Sequence, residues 1–260
     1  MTFRTGKQMA LGYPVNSGDV ESLIEDVSTW IANGQSCRWL ACMNPHSYVI
    51  ARDNSEFQLA LKQSDWLVPD GIGMVMGMRL LGCGVSGRVT GSDVFARLHQ
   101  RLNQQGARIF FLGANDATLM AISQKLKREF PNLIVAGTYA PSYCHEFSEA
   151  ETQAMLEAIN AAGPDVLWVG MTSPKQDLWI FANRHRLNVR FAAGVGAVFD
   201  FYTGRVKRSH PYFQKIGLEW LPRLLQEPRR LWRRMFISAP IFVYDVMIAV
   251  CKRKFGLGTK

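Results

Sequence analysis

Several short segments of this chain carry side chains able to move a proton or hold an anion. VPDGIGMV (68–75) sets one carboxylate, Asp70, between an apolar run and two glycines, Gly71 and Gly73. A carboxylate fixed at a strand end can serve as a general base, and glycines beside it would leave room for a substrate. The same Asp-Gly pair is a common turn, so the segment alone leaves both readings open. RVTGSD (88–93) offers Arg88, whose planar fork could clamp a phosphate or orient Asp70. It also offers Asp93, which suits either a substrate contact or the start of a helix. FFLGAND (110–116) contributes Gly113 and Asn115 where a strand gives way to a helix, a place where backbone N–H groups favour an anion. Asn44, Lys175 and Gln176 of GMTSPKQ (170–176), and Gly194 and Gly196 complete the candidate substrate contacts.

These residues matter together because of the elements that must position them. Candidate strands are RWLACM (38–43), DWLVP (65–69), ARIFFLG (107–113), NLIVAG (132–137), DVLWVG (165–170) and RFAAGV (190–195), with a small strand around 8–14. Helical patterns lie between them. Asn44-Pro45 and Ser173-Pro174 read as an N-cap followed by Pro at the first helical position. Ser148 to Glu151 has capping-box spacing, and a helix opens near Gly18-Asp19 and runs to about 33. Apolar runs alternating with helices predict a doubly wound, Rossmann-like α/β fold with a parallel sheet buried on both faces. Ligands of such sheets bind outside the carboxyl ends of the strands, where the candidate residues fall.

Composition changes near Gly204, dividing the chain into an α/β domain (1–204) and a basic appendage (205–260). The appendage holds 13 of the 30 Lys and Arg but only 3 of the 21 acids, a net of +10, while the rest of the chain is at −1. GLEWLPRLLQEPRRLWRR (217–234) mixes Arg223, Arg230, Arg233 and Arg234 with Trp220, Trp232 and several leucines, a pattern suited to a membrane surface. On a helix Arg223, Arg230 and Arg234 share a face, and Pro228 predicts two helices joined at 226–228. The apolar run 235–250 is interrupted by Pro240 and Asp245, and reads as interfacial rather than membrane-spanning. A solvated basic helix and a nucleic-acid contact are the alternatives, but RNP, KH and helix-turn-helix signatures are absent and nucleic acid is not an expected partner.

Five scattered cysteines without a C-x-x-C pair, and an N-terminus without an apolar signal region, predict reduced thiols and a cytoplasmic location. The chain has no Asp-x-Asp, H-E-x-x-H, Walker A or G-x-S-x-G pattern, FFLGAND lacks the G-x-G-x-x-G dinucleotide fingerprint, and the five histidines do not fall at ligand spacing. No metal and no cofactor are expected. A leaving diphosphate would then need Arg, Lys and backbone amides to balance its charge. A homo-oligomer is left open.

In order, NPHSYV (44–49), PDGIGMV (69–75), GRVTGSD (87–93), FFLGA (110–114), SPKQD (173–177), GVGAVFDFYTG (194–204) and LEWLPRLLQEPRR (218–230) resemble the WecG/TagA/CpsF glycosyltransferases over most of the chain. The resemblance implies an inverting, metal-independent enzyme, peripheral on the inner face of a bacterial membrane. Such an enzyme moves sugar from a UDP-sugar onto a polyprenyl-diphosphate-linked saccharide. It implies Asp70 as general base, Arg88 on the donor diphosphate or holding the site, and Gln176 on the sugar or nucleotide. Arg223, Arg230 and Arg233 would meet the acceptor diphosphate, with Trp220 and Trp232 at the interface. Three positions depart from the pattern: Cys42 stands for a Thr, Asp177 for the Glu of P-K-Q-E, and Arg208-Ser-His-Pro211 for R-A-P. A thiol donates a weaker hydrogen bond than a hydroxyl, which puts a catalytic role at Cys42 in doubt. The competing reading is a non-catalytic nucleotide- or nucleic-acid-binding module with a basic tail.

Overall fold

A computed structural model describes residues 6–206, 220, 224 and 228–255. Arg223 and the Arg230 side chain, both candidate lipid-diphosphate ligands, lie outside what is described, as does the expected join at 226–228.

The chain opens as a hairpin, β1 (Lys7–Ala10) and β2 (Tyr13–Asn16), rather than one small strand. Its two-residue turn, Leu11-Gly12, has positive φ at both positions, the twist that suits a tight hairpin. Then come α1 (Val20–Asn33), β3 (Arg38–Met43), α2 (Pro45–Asp53), α3 (Ser55–Lys62), β4 (Trp66–Pro69), α4 (Ile72–Leu80) and α5 (Gly91–Asn103). They are followed by β5 (Arg108–Gly113), α6 (Asp116–Glu129), β6 (Ile134–Tyr139), α7 (Glu149–Ala162), β7 (Val166–Gly170), α8 (Lys175–Asn183), β8 (Phe191–Gly194) and α9 (Val198–Thr203).

Six strands form one parallel sheet in the order β4-β3-β8-β7-β5-β6. Alternate residues feed opposite faces, as a period of two requires. Trp39, Ala41, Met43, Phe110, Leu112, Leu167 and Val169 enter a core covered by α2, α3, α4, α7 and α8. Leu40, Ile109, Phe111, Val166 and Trp168 enter the other, covered by α1, α5, α6 and α9. This is the expected doubly wound architecture. β6 begins two residues later than expected because Phe130 to Leu133 closes α6, and Ile134 is the first residue to pair, donating to the Ala107 carbonyl.

Ser173 is not the cap of α8. The peptide bond to Pro174 is cis, Pro174 takes the cap position, and the Ser173 hydroxyl turns to Asp177. Ser148 does cap α7, but Glu151 bonds Ser142 instead of closing the box.

α9 ends at Gly204, whose positive φ turns the chain. Residues 228–254 of the appendage form one continuous helical run: α10 (Pro228–Arg233), a π-helical turn (Arg234–Ser238) and α11 (Ala239–Lys254). Pro240 cannot donate the hydrogen bond a helix needs, and the π turn absorbs that defect, with the Ala239 N–H donating back to Arg234. The run therefore bends its hydrogen bonding at Pro240 without being broken. α11 lies across α2 and α4. Phe242 and Val246 are buried against Gly77, and Asp245 accepts from Tyr48 Oη at 2.9 Å and Arg52 Nη1 at 2.8 Å.

Candidate active site

Asp70 leaves β4 with its N–H donating to the Met43 carbonyl at 2.8 Å, which locks it beside the end of β3. Gly71 follows with φ +89, a conformation costly for any side chain, while a Cβ there would meet nothing within 4 Å. That glycine is needed for its backbone angle and not, as the sequence suggested, for room. Gly73 is the position that saves space, since a Cβ there would stand 3.1 Å from Pro45.

Asn44 does two jobs. Its Oδ1 caps α2 by accepting from the His46 and Ser47 N–H groups, both at 3.0 Å, with Ser47 closing the capping box. Its Nδ2 reaches Asp70 Oδ2 at 3.4 Å. Asp70 and Asn44 therefore form a unit across the β3 and β4 ends.

They line a cavity of about 390 Å³ together with Cys42, Gly71, Arg88, Gln176, Asp177, Gly194 and Gly196. Gln176 is buried, and its Oε1 accepts from the Gly196 N–H at 3.0 Å. A Cβ on Gly194 would stand 2.8 Å from Gln176 Nε2, so here a glycine does leave room. Burial first, and then the carboxylates Asp70, Asp177 and Asp93, push the Cys42 thiol far above its usual range, so it stays protonated.

Five residues of the described tail, Trp220, Leu231, Arg234, Met235 and Ala239, line this same cavity. Arg234 was expected only to reinforce attraction to a membrane. By helical spacing in the sequence it falls on the face expected for Arg223 and Arg230. Arg233 and Trp232 are exposed, and Trp232 packs on Phe236 with ring centroids 4.4 Å apart.

A second, larger cavity of about 1080 Å³ adjoins the first and shares Thr172, Ser173, Gly196 and Ala197 with it. Asn115 and Lys175 line it, so the structure parts them from Asp70. Asn115 caps α6 by accepting from the Thr118 N–H at 2.9 Å. Lys175 Nζ donates to the Cys144 carbonyl at 2.6 Å and sits 3.5 Å over the Phe147 ring. Gly113 lines neither cavity. Its φ of +110 and the Gly170 carbonyl, 2.6 Å from any added Cβ, give it a backbone role. Asp93 also lines neither; its Oδ2 accepts from Thr90 Oγ1 at 2.7 Å and from Thr90 N–H at 3.2 Å in a capping box for α5. Among the described residues no three His, Cys, Asp or Glu side chains converge in a way that could hold a metal ion.

Residues 8–256 match the model of the "Glycosyl transferase WecG/TagA/CpsF family". A relative from Bacillus spizizenii (strain ATCC 23059 / NRRL B-14472 / W23) is 32% identical over 239 residues, covering 90% of each chain. One from Bacillus subtilis (strain 168) is 32% identical over 80% of this chain and 78% of its own. One from Staphylococcus aureus (strain MW2) is 26% identical over 96% and 95%. All three are named N-acetylglucosaminyldiphosphoundecaprenol N-acetyl-beta-D-mannosaminyltransferase. The non-catalytic binding module is thereby set aside. With its parallel sheet, its strand-end cavity and a match over nearly its full length, the chain belongs to the WecG/TagA/CpsF family and is a glycosyltransferase.

Proposed function

We propose that this enzyme transfers a sugar from a UDP-sugar to a polyprenyl-diphosphate-linked saccharide, with inversion and without a metal ion, at the cytoplasmic face of a bacterial membrane. The observation that carries this reading is the meeting of Asp70 with Arg234 and Trp220 of the basic tail on one cavity. A base, an anion-binding group and an apolar wall are what a lipid-diphosphate acceptor needs. The names of the relatives favour N-acetylmannosamine as the transferred sugar and N-acetylglucosaminyl-diphosphoundecaprenol as the acceptor.

In this mechanism Asp70 takes the proton from the acceptor hydroxyl as that oxygen attacks the anomeric carbon from the face opposite UDP. Asn44 Nδ2 holds the Asp70 carboxylate in position. Arg88 balances the donor diphosphate, while Arg234, with Arg223, Arg230 and Arg233, meets the acceptor diphosphate. The larger neighbouring cavity, with Lys175 and Asn115, is the place for the nucleotide. Metal independence is supported by the lack of an Asp-x-Asp pair to carry a cation.

The tail supports a membrane-attached reading. Leu231–Lys254 is long and apolar enough to cross a bilayer, with mean hydropathy 1.7 over its best window. Its Phe242 and Val246 face is nevertheless buried on α4, which supports a helix lying along the membrane surface rather than across it.

The test is UDP release from UDP-N-acetylmannosamine, UDP-N-acetylglucosamine and UDP-glucose, with and without N-acetylglucosaminyl-diphosphoundecaprenol in liposomes. Release requiring both one sugar and the lipid acceptor is expected. Asp70→Asn should lower turnover by ~100- to 10,000-fold while UDP still binds. Release that ignores the acceptor, or survives in Asp70→Asn, contradicts the mechanism.

A further inference from the structure

Asp177 stands in the first turn of α8 yet is only 3% exposed, and it lines the first cavity. Ser173 Oγ donates to its Oδ2 at 2.7 Å. Its other oxygen faces the cavity wall at Gly194, where an added Cβ would stand 2.9 Å from Oδ1 and 2.8 Å from Gln176 Nε2. The missing side chain of Gly194 thus keeps a carboxyl and an amide side by side. Among the described residues no basic side chain pairs with Asp177, although a buried carboxyl ordinarily has such a partner.

We propose that Asp177 contacts the transferred sugar, accepting a hydrogen bond from a ring hydroxyl of the donor beside Gln176, with Ser173 holding the carboxyl in the required orientation. The proposal rests on the reading of this cavity as the sugar half of the crevice. A hydroxyl is the chemistry that fits: it brings a donor to the cavity side of the carboxyl without bringing a charge.

Without a ligand, burial pushes the Asp177 carboxyl up to about 7, against the bonds from Ser173 and its own N–H. A donated hydroxyl favours the ionised form, so sugar binding releases the carboxyl proton to solvent near neutral pH. The other titratable or charged groups on this cavity are Cys42, His46, Asp70, Arg88 and Arg234. Cys42 is held protonated, and burial with Arg234 and Arg233 pulls His46 down to about 4, away from this range.

The experiment is calorimetric titration of UDP and of UDP-N-acetylmannosamine into the whole protein, in buffers of different ionisation heat. Asp177→Asn should weaken UDP-N-acetylmannosamine by ~10-fold or more, abolish its proton release and leave UDP unchanged. Asp177→Glu, which restores the carboxyl usual in the family motif, should recover the sugar-dependent gain. Ser173→Ala should fall between, and serves if the Asn variant does not fold. Equal weakening of UDP and UDP-sugar, or no weakening of either, overturns the proposal and leaves the functional reading intact. A wild type that binds UDP-N-acetylmannosamine, UDP-N-acetylglucosamine and UDP-glucose no better than UDP defeats the sugar-cavity reading, and this proposal with it.

Discussion

His99 is 0% and Asp177 3% exposed. Around His99 the aromatic rings of Phe95, Phe111 and Trp168 close in, Nε2 accepts from Trp168 Nε1 at 3.0 Å, and burial pulls its pKa down to about 3. It is a neutral core side chain. Asp177 keeps its polar end on a cavity, and its raised pKa has a consequence for stability. The folded carboxyl holds its proton more tightly than the unfolded one. The contribution of this group to stability is therefore greatest below about pH 4 and declines as pH rises towards 7, at up to about 1.4 kcal/mol per pH unit. Urea unfolding at pH 5 and 7.5 should show the wild type losing ~2–3 kcal/mol more than Asp177→Asn over that interval. Equal losses would mean the carboxyl is solvated. Sequence alone grouped Asp70 and Gln176 because each follows a strand, while Arg88, beyond α4, was joined to them by its forked guanidinium and the resemblance. It could not show Asp177 as buried, since an Asp in a first helical turn is ordinarily an exposed partner of the helix dipole. Its burial comes from β8, in the sheet against which α8 packs.

α11 is held on α2 and α4 by the buried Phe242 and Val246, with Phe242 edge-on to Tyr48 at 5.4 Å between ring centroids, and by polar bonds such as those of Asp245. A Cβ on Gly77 would stand 2.7 Å from the Phe242 ring, so Gly77→Val should push α11 off α4. His46 Nδ1 lies 2.8 Å from Ser238 Oγ and ties the π turn to α2. Because the folded His46 takes up a proton only near pH 4, this tie is at full strength above about pH 6.5 and weakens as pH falls towards 4. Protease cleavage within 231–254 should rise from pH 7.5 to pH 5 in the wild type. Gly77→Val should raise it at both values while the sheet keeps its circular dichroism. Resistance unchanged by either would mean α11 is held elsewhere. Strand positions were legible to within two residues because strands buried on both faces read as continuous apolar runs. The π turn was not legible: Pro240 in an apolar run looks like a helix break, and only the packing of α11 on α2 and α4 shows the run continuing.

Over the whole molecule, basic charge concentrates in residues 205–260, and exposed apolar stripes lie on α4 and on the tail helix that packs against it. Ile72, Met76 and Leu80 are exposed at intervals of four along α4, and Val243, Tyr244 and Met247 are exposed on the helix packed against it. On the proposed membrane-bound reading these stripes enter the headgroup region, with each nearby Lys or Arg adding roughly 1 kcal/mol. Met76→Glu with Val243→Glu should cut partitioning to anionic vesicles by ~10-fold or more, and truncation before residue 205 should abolish it. Binding that persists after truncation would take the attachment away from the tail. Sheet order carries a further consequence, for biogenesis. β3 has β8 as its inner neighbour, with Arg38 opposite Phe191. During synthesis the first two strands of the sheet must therefore wait, unpaired with its centre, until residues 191–194 have left the ribosome. The greasy, basic last segment emerges only after the sheet can close, so it meets a finished docking face rather than an open core into which it could misfold.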